Sequence, residues 1–361
     1  MTQLSRKPVP NLPQRRRIRL GWWHNIWHRL LLIGHPDVEP PLPVTQAPPS
    51  ILSLMSLLEE HRGQFATAAR ALGAEYKGAY WMMYLLAPLA VMSSAAAYSL
   101  TDHSLLLSGI ELLLIGLILM LFIAVRRGRW QDRWIQARRT AEHLRYLPLV
   151  APFVADSQTN WYDQMASRHG MRLTVDKETS QVCAWLGVGE TIAKLRLDDE
   201  LFDAGYFKYV DDVLAQQVHY HARKAAMEYA LTRRISRLST SFFIVTIVCT
   251  ALLFLESLLV TGDLGRNVLS HYLRFFATSL PAIGGALRGL LAQGESHRVA
   301  ALSEGMSLRL SQLRAELQKM RASGAASQEL EDLVWNAVQE LLSEADTWMR
   351  LQESVPLSVA G

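Results

Sequence analysis

The chain has 361 residues, half of them apolar, a formal net charge of +4 and two cysteines, Cys183 and Cys249. Two distant cysteines exclude a disulfide scaffold and a zinc-type pair, and so small a charge excess excludes the strongly basic kind of nucleic-acid binder. A mean hydropathy near zero in so apolar a chain points to membrane spans mixed with polar helices.

Residues 1–14 carry prolines and no apolar periodicity, the composition of a disordered segment. The first forty residues hold no apolar core followed by a small-residue cleavage site, so no cleavable signal is expected and the first span would direct its own insertion. Residues 15–33, RRRIRLGWWHNIWHRLLLI, interleave arginines with Trp22, Trp23 and Trp27, which suits an anionic membrane surface. Nucleic acid is the rival partner for such a cluster, but no binding motif surrounds it. Residues 37–50 are proline-rich and complete an N-terminal segment and linker over 1–50, with Ser50 as the expected cap of a helix starting at Ile51.

From Ile51 the apolar residues Leu54, Leu57, Leu58, Phe65, Ala68 and Leu72 recur at helical spacing, with Gly63 the one weak point. This helix leads directly into a charge-free run, 78–100, with Tyr80, Trp81 and Tyr84 at its inner end and Pro88 as a tolerable kink. The turn TDHS has no Lys or Arg. A second apolar run follows at 105–125, interrupted by a single charge, Glu111, and then by Arg126, Arg127 and Arg129. Each run is long enough to cross a bilayer, and the arginines place their flank on the cytoplasmic side.

Beyond Arg129, Trp130, Trp134, Ala137, Ala141 and Leu144 form one helical stripe, and Arg138, Glu142 and Arg145 lie on the next. Glu142 is spaced to pair with either arginine. The expectation is a helix that docks on something; the alternative is that the tryptophans only anchor a span end at the headgroups. Residues 130–145, WQDRWIQARRTAEHLR, after a two-span hairpin, resemble the SLATT group of bacterial membrane modules, found beside nucleotide-second-messenger synthases and SLOG sensor domains. The resemblance covers Ile51 to Tyr146 and rests on Trp130, Trp134, Arg138, Glu142 and Arg145. It implies a pore-forming or membrane-perturbing effector in bacterial defence, with a cytoplasmic sensor or nucleotide-signalling partner.

The first hairpin unit thus covers 51–147. Residues 148–237 read as a mostly helical cytoplasmic region, with RLTV at 172–175 a strand candidate lacking a partner and a helix break near Gly205. A third span occupies 238–260, with Glu256 near its outer end. The fourth, 268–291, contains His271, Arg274 and Arg288, so a short or tilted span is expected, with the two arginines snorkelling. Pro281 and the Gly284, Gly285 pair leave a re-entrant segment as the alternative. Residues 294–361 form two amphipathic helices, one on Met306, Leu310, Leu313, Leu317 and Met320 and one on Leu330, Leu333, Ala337, Leu341, Ala345 and Trp348, separated by ASGAAS. Two membrane hairpins raise the idea of a distant duplication, but no residues match well enough to assert one.

No catalytic motif is present. GVGE, ending at Glu190, lacks the further glycine and preceding strand of a dinucleotide loop. His219 and His221 face different sides of a helix and cannot share a metal; no cofactor or metal is expected, even with His169 and Cys183. Glu111 and Glu256 are the intramembrane acids. They either sit near outer water or line a path or pair with Arg274. The fold expected is all-α: a polytopic protein of the bacterial inner membrane with two transmembrane helical hairpins, cytoplasmic ends and a helical cytoplasmic region. Its expected partners are the lipid bilayer and further copies of itself, not nucleic acid.

Overall fold

The structure, a computed structural model, describes Ile26 and residues 49–99, 103–154, 181–184, 186–188, 205–259, 268–324 and 327–354. The basic and aromatic N-terminal segment, most of the proline linker, the strand candidate 172–175, His169 and the side chains of Ala345 and Trp348 lie outside this set. Nearly all of the described residues are helical, and none of them is in a strand.

The first helix, α1 (Pro49–Ser99), is 51 residues long and runs through Gly63 and Pro88 without a break. It starts at Pro49, so Ser50 sits inside its first turn and is not its cap. Proline suits that place because its fixed φ is helical and its missing N–H has no partner to lose there. α2 (Ser104–Gly128) doubles back along α1, with Ser93 Oγ donating to the Leu107 carbonyl at 2.7 Å. At Arg129 the chain turns a single-residue corner into α3 (Trp130–Val150), which packs on the lower half of α1 and continues as a 3-10 turn, Ala151–Val154.

The second long helix, α4 (Phe207–Leu259), has 53 residues and carries the chain without interruption from polar sequence into the third apolar run. α5 (Val268–Gly294) packs along α4 and on α1. Pro281 and Gly284, Gly285 lie inside one continuous helix, without the break at which a re-entrant segment would turn back. A bend at Glu295 leads into α6 (Ser296–Ser323), which packs on α4; it ends at Gly324 in a left-handed conformation. α7 (Ser327–Ser354) closes the base against α3 and α6.

Two apolar cores result. The lower one joins Ile51 to Phe65 of α1, Ala141 to Val150 of α3, Tyr206 to Leu214, Met306 to Leu317 of α6, and Leu330 to Leu342 of α7. The stripes expected on α6 and α7 are the residues that build it: Leu310 and Leu330 are almost fully buried. The upper core joins Ala69 to Met83 of α1, Ile118 and Val125 of α2, Trp130 to Ala137 of α3, Leu231 and Ile235 of α4, Leu290 of α5 and Val299 of α6.

Above the upper core the rule reverses. Leu112, Leu119 and Met120 on α2 and Ile244, Ile247 and Phe254 on α4 face outward. Four helices among the described residues are long and apolar enough to cross a membrane, and the most apolar windows of α2 and α4 are each only 6% buried by protein. A water-soluble monomer does not leave apolar surface of that extent uncovered. A bilayer is the solvent that fits it.

Candidate functional site at the joint between two cores

All five residues of the α3 motif face inward or toward partners, and they thread three levels of the molecule. Trp130 and Trp134 belong to the upper core, 2% and 5% exposed. Trp134 lies against Tyr76, ring centroids 5.7 Å apart, and under the Lys77 ammonium at 5.5 Å. It presses so closely on Gly73 that a Cβ there would stand 2.6 Å from the indole nitrogen. Headgroup anchoring is therefore not the role of these indoles: they lock α3 to α1 by burial, where a large aromatic contributes most.

Arg138 and Glu142 come one and two turns below. They form the i,i+4 pair that their spacing implies, Nε to Oε1 at 3.8 Å, with both side chains mostly covered. Arg145 takes a different course. It is 2% exposed within the lower core, its guanidinium 5.6 Å from the Tyr146 ring and within electrostatic reach of Tyr209. Burial raises the Tyr209 phenol well above its usual range, and Arg145 partly offsets this.

The level of Arg138 and Glu142 is where the buried faces of α3, α4 and α6 change character. The buried stripe of α4 is apolar from Tyr209 to Leu214, becomes Gln217, Tyr220, His221 and Lys224, and returns to apolar at Leu231 and Ile235. On α6, Ser303 separates Val299 and Ala300 from Met306 and Leu310. On α3, Thr140 and His143 accompany the ion pair. Lys77 of α1 borders this layer from above, within electrostatic reach of Glu228, Arg138 and Lys224. The sequence reading missed the layer because its members come from four helices; only the phase of the α4 stripe, with Gln217, His221 and Lys224 at i, i+4 and i+7, hinted at it.

Three of its side chains, Thr140, Gln217 and Ser303, are at most 1% exposed, and their polar atoms find no hydrogen-bond partner among the described residues. A buried polar group left in that state costs about 1–3 kcal/mol. The joint is thus a polar stratum between two mainly apolar cores. His221 is buried there while His219, two residues earlier, is exposed. His221 is therefore no surface histidine. No group of three metal-ligating residues exists among the described residues.

Outer ties fasten the base. The Arg314 guanidinium donates from Nε and Nη2 to the two oxygens of Asp211 at 2.7 and 3.1 Å, and its hydrogen bonds hold that carboxyl below the usual range. Arg139 meets Asp346 at 3.4 Å and Arg309 meets Glu340 at 2.8 Å, so α7 is tied to α3 and to α6. Tyr229 of α4 donates to Glu304 of α6 at 2.9 Å.

The intramembrane charges divide. Glu256 accepts a hydrogen bond from Ser270 at 2.6 Å, joining α4 to α5 near their outer ends. Arg288 reaches back across the inner end of the same pair, donating to Ser239 at 3.3 Å and Thr240 at 3.5 Å. Ser239 in turn donates to the Gly284 carbonyl at 3.0 Å, a close helix approach at which a glycine Cβ would press on Phe243. Arg274 pairs with neither Glu111 nor Glu256 among the described residues, so the pairing entertained for it does not occur within one chain. Glu111 is half-buried on α2 and makes no ion pair or hydrogen bond among the described residues. Comparisons with protein-family models, with curated proteins and with solved structures find no match for this chain.

Proposed function

We propose that this protein is an effector of the bacterial inner membrane, two transmembrane hairpins with both ends in the cytoplasm, that oligomerises and permeates or perturbs the membrane when its base is engaged. The observation that carries the reading is the polar joint: α1 and α4 run unbroken from the lower core, past the level of the buried Gln217, whose amide finds no hydrogen-bond partner among the described residues, into the apolar helices. A ligand or partner that shifts the lower core against the upper one moves levers that reach the bilayer, and the polar joint between them is where such a shift would be taken up. The nucleotide-signalled defence setting rests on the resemblance of residues 130–145 alone. Purified protein reconstituted in liposomes tests it: release of an entrapped dye supports the reading, and intact vesicles at high protein-to-lipid ratio overturn it. Reporter fusions at Ser104 and Arg266 are expected to read periplasm, and those at Ser157 and Ser354 cytoplasm.

A second reading, a non-conducting scaffold or sensor subunit, is favoured by one observation. Glu256 and Arg288 are occupied in helix-to-helix contacts, which leaves Glu111 as the acid available to line a path. A ring of Glu111 carboxylates would favour cations. Planar-bilayer reversal potentials of wild type and Glu111→Gln decide between them: a lost cation preference supports the pore, and absence of current from both supports the scaffold.

A further inference from the structure

Two corners at the base of the apolar helices are built alike. α2 passes into α3 at Arg129 and α5 into α6 at Glu295, the two non-glycine residues with positive φ among the described residues, at 48° and 50°. At each corner the N–H donates to the carbonyl three residues back, Arg126 at 3.2 Å and Ala292 at 3.3 Å. At each, the corner carbonyl accepts from the N–H four residues on, Arg133 at 3.1 Å and Val299 at 2.9 Å. Each corner side chain pairs with the opposite charge three residues later: Arg129 with Asp132 at 2.7 Å and Glu295 with Arg298 at 3.4 Å. The device is the same with the charges exchanged. A left-handed non-glycine residue costs roughly 1–2 kcal/mol, so its recurrence at equivalent places is informative.

The flanking elements match as well. A helix of 51 residues, one of 25 and the α3 base helix precede the interdomain stretch; a helix of 53, one of 27 and the α6 base helix follow it. When the two corners are superposed, the buried Ser296, Ala300, Ser303, Met306 and Leu310 of α6 fall on the buried Trp130, Trp134, Ala137, Thr140 and Leu144 of α3. Within each unit the base helix packs on the long helix, and so does the short apolar one.

Between the units one contact is made and its counterpart is not. α5 of the second unit seats on α1 of the first, with Gly289 against the Tyr84 ring and Gln293 donating to Tyr76 at 3.4 Å. The corresponding seat, α2 of the first unit on α4 of the second, is not closed among the described residues. The two helices that would meet there are also the two whose apolar windows are least covered, 6% each against 39% and 17% for the other two candidate spans.

We infer that α1–α3 and α4–α6 are two versions of one three-helix unit, and that the open seat is filled by a second copy of this chain, α2 of one against α4 of the next. A relation used once and left open at both ends is heterologous: it continues around a ring or along a row and does not end at a two-fold dimer. Superposing the corners puts Ile123 at the position of Gly289. Phe243 stands as far from the outer end of α4 as Tyr84 does from that of α1, to within one residue. Both Ile123 and Phe243 are more than a third exposed. The inference rests on the oligomeric part of the proposed function and supplies its interface.

The test uses the full chain with Cys183→Ser and Cys249→Ala, in nanodiscs large enough for several copies. Ile123→Cys and Phe243→Cys are made singly and together and exposed to mild oxidant. The expected result is a ladder beyond the dimer from the double variant, a dimer only from the two single variants mixed, and monomer from either alone. A disulfide dimer from Ile123→Cys alone would mean a two-fold α2 contact and overturn the head-to-tail arrangement. Oligomers by light scattering without any Ile123 to Phe243 cross-link would overturn this interface while leaving the oligomeric effector standing. Monomers by both measures, with lipid covering α2 and α4, would overturn both.

Discussion

The lower and upper halves of α4 obey opposite rules with the same residue types. Below, Tyr209, Val213 and Leu214 disappear into protein, while above, Ile244, Ile247 and Phe254 are left facing outward. The difference lies in the solvent each half meets. In water an apolar stripe gains roughly 25 cal/mol per Å² by finding a protein partner; in hydrocarbon that gain vanishes, and packing and small-residue approach decide which helices touch. The contacts above the upper core fit the second case: Ser239 on Gly284, and Gly289 beneath Tyr84.

The sharpest way to break this contrast is to truncate an indole below. Trp134→Ala should cost about 3–5 kcal/mol, because it empties a site packed by Gly73 and Tyr76. Denaturant unfolding in detergent micelles reads it, and a loss under 1 kcal/mol would mean that α3 is not docked as described.

Between the two regimes lies the polar joint, where the sign of the effect inverts. Gln217→Leu keeps the volume and removes a fully buried amide that has no hydrogen-bond partner among the described residues, so it should stabilise the fold by about 1–3 kcal/mol. If the joint must yield for activity, the same variant releases less dye from liposomes. A destabilised Gln217→Leu protein would show that the amide is satisfied after all.

A smaller effect belongs to the base and depends on pH. The Asp211 carboxyl titrates below its ordinary value because Arg314 holds its charged form. Its contribution is fully present above the unfolded pKa of about 4 and is lost as pH falls through the lower folded value. Asp211→Asn should therefore cost roughly 1 kcal/mol at neutral pH and progressively less below about pH 4, since the pair is partly solvent-exposed. Melting curves of the two proteins that stay parallel into acid would remove this ion pair from the account.

The smallest change is expected at the outermost position. Leu112→Ala, on an α2 residue 73% exposed, should alter monomer stability by less than about 0.5 kcal/mol in detergent. A large loss would place Leu112 in a contact with another chain, which brings the lipid-facing half under the same rule as the base.

Much of the architecture was legible in local pattern. The apolar runs, the continuation of each long helix into its run, the stripe of Trp130, Trp134, Ala137, Ala141 and Leu144, and the Arg138 to Glu142 pair all follow from helical periodicity and spacing. Those features depend on residues within a few turns of one another. What spacing could not supply was the partner of each face. The tryptophans could sit at headgroups or against protein, and only α1, with Gly73 opposite Trp134, decided it. The polar joint was equally hidden, because Thr140, Gln217 and Ser303 come from three helices far apart in the chain and share a level only once those helices pack. The two hairpins suggested a likeness of the two halves that residue identity could not support, for a related reason: the corners at Arg129 and Glu295 carry opposite charges and share backbone geometry, which side-chain identity does not record. Sequence by itself determined where helices run and which of their faces are apolar, since periodicity is a property of the single helix. Tertiary structure alone decided which faces meet protein, which are left uncovered and which polar groups are sealed between two cores, because burial is a property of neighbours.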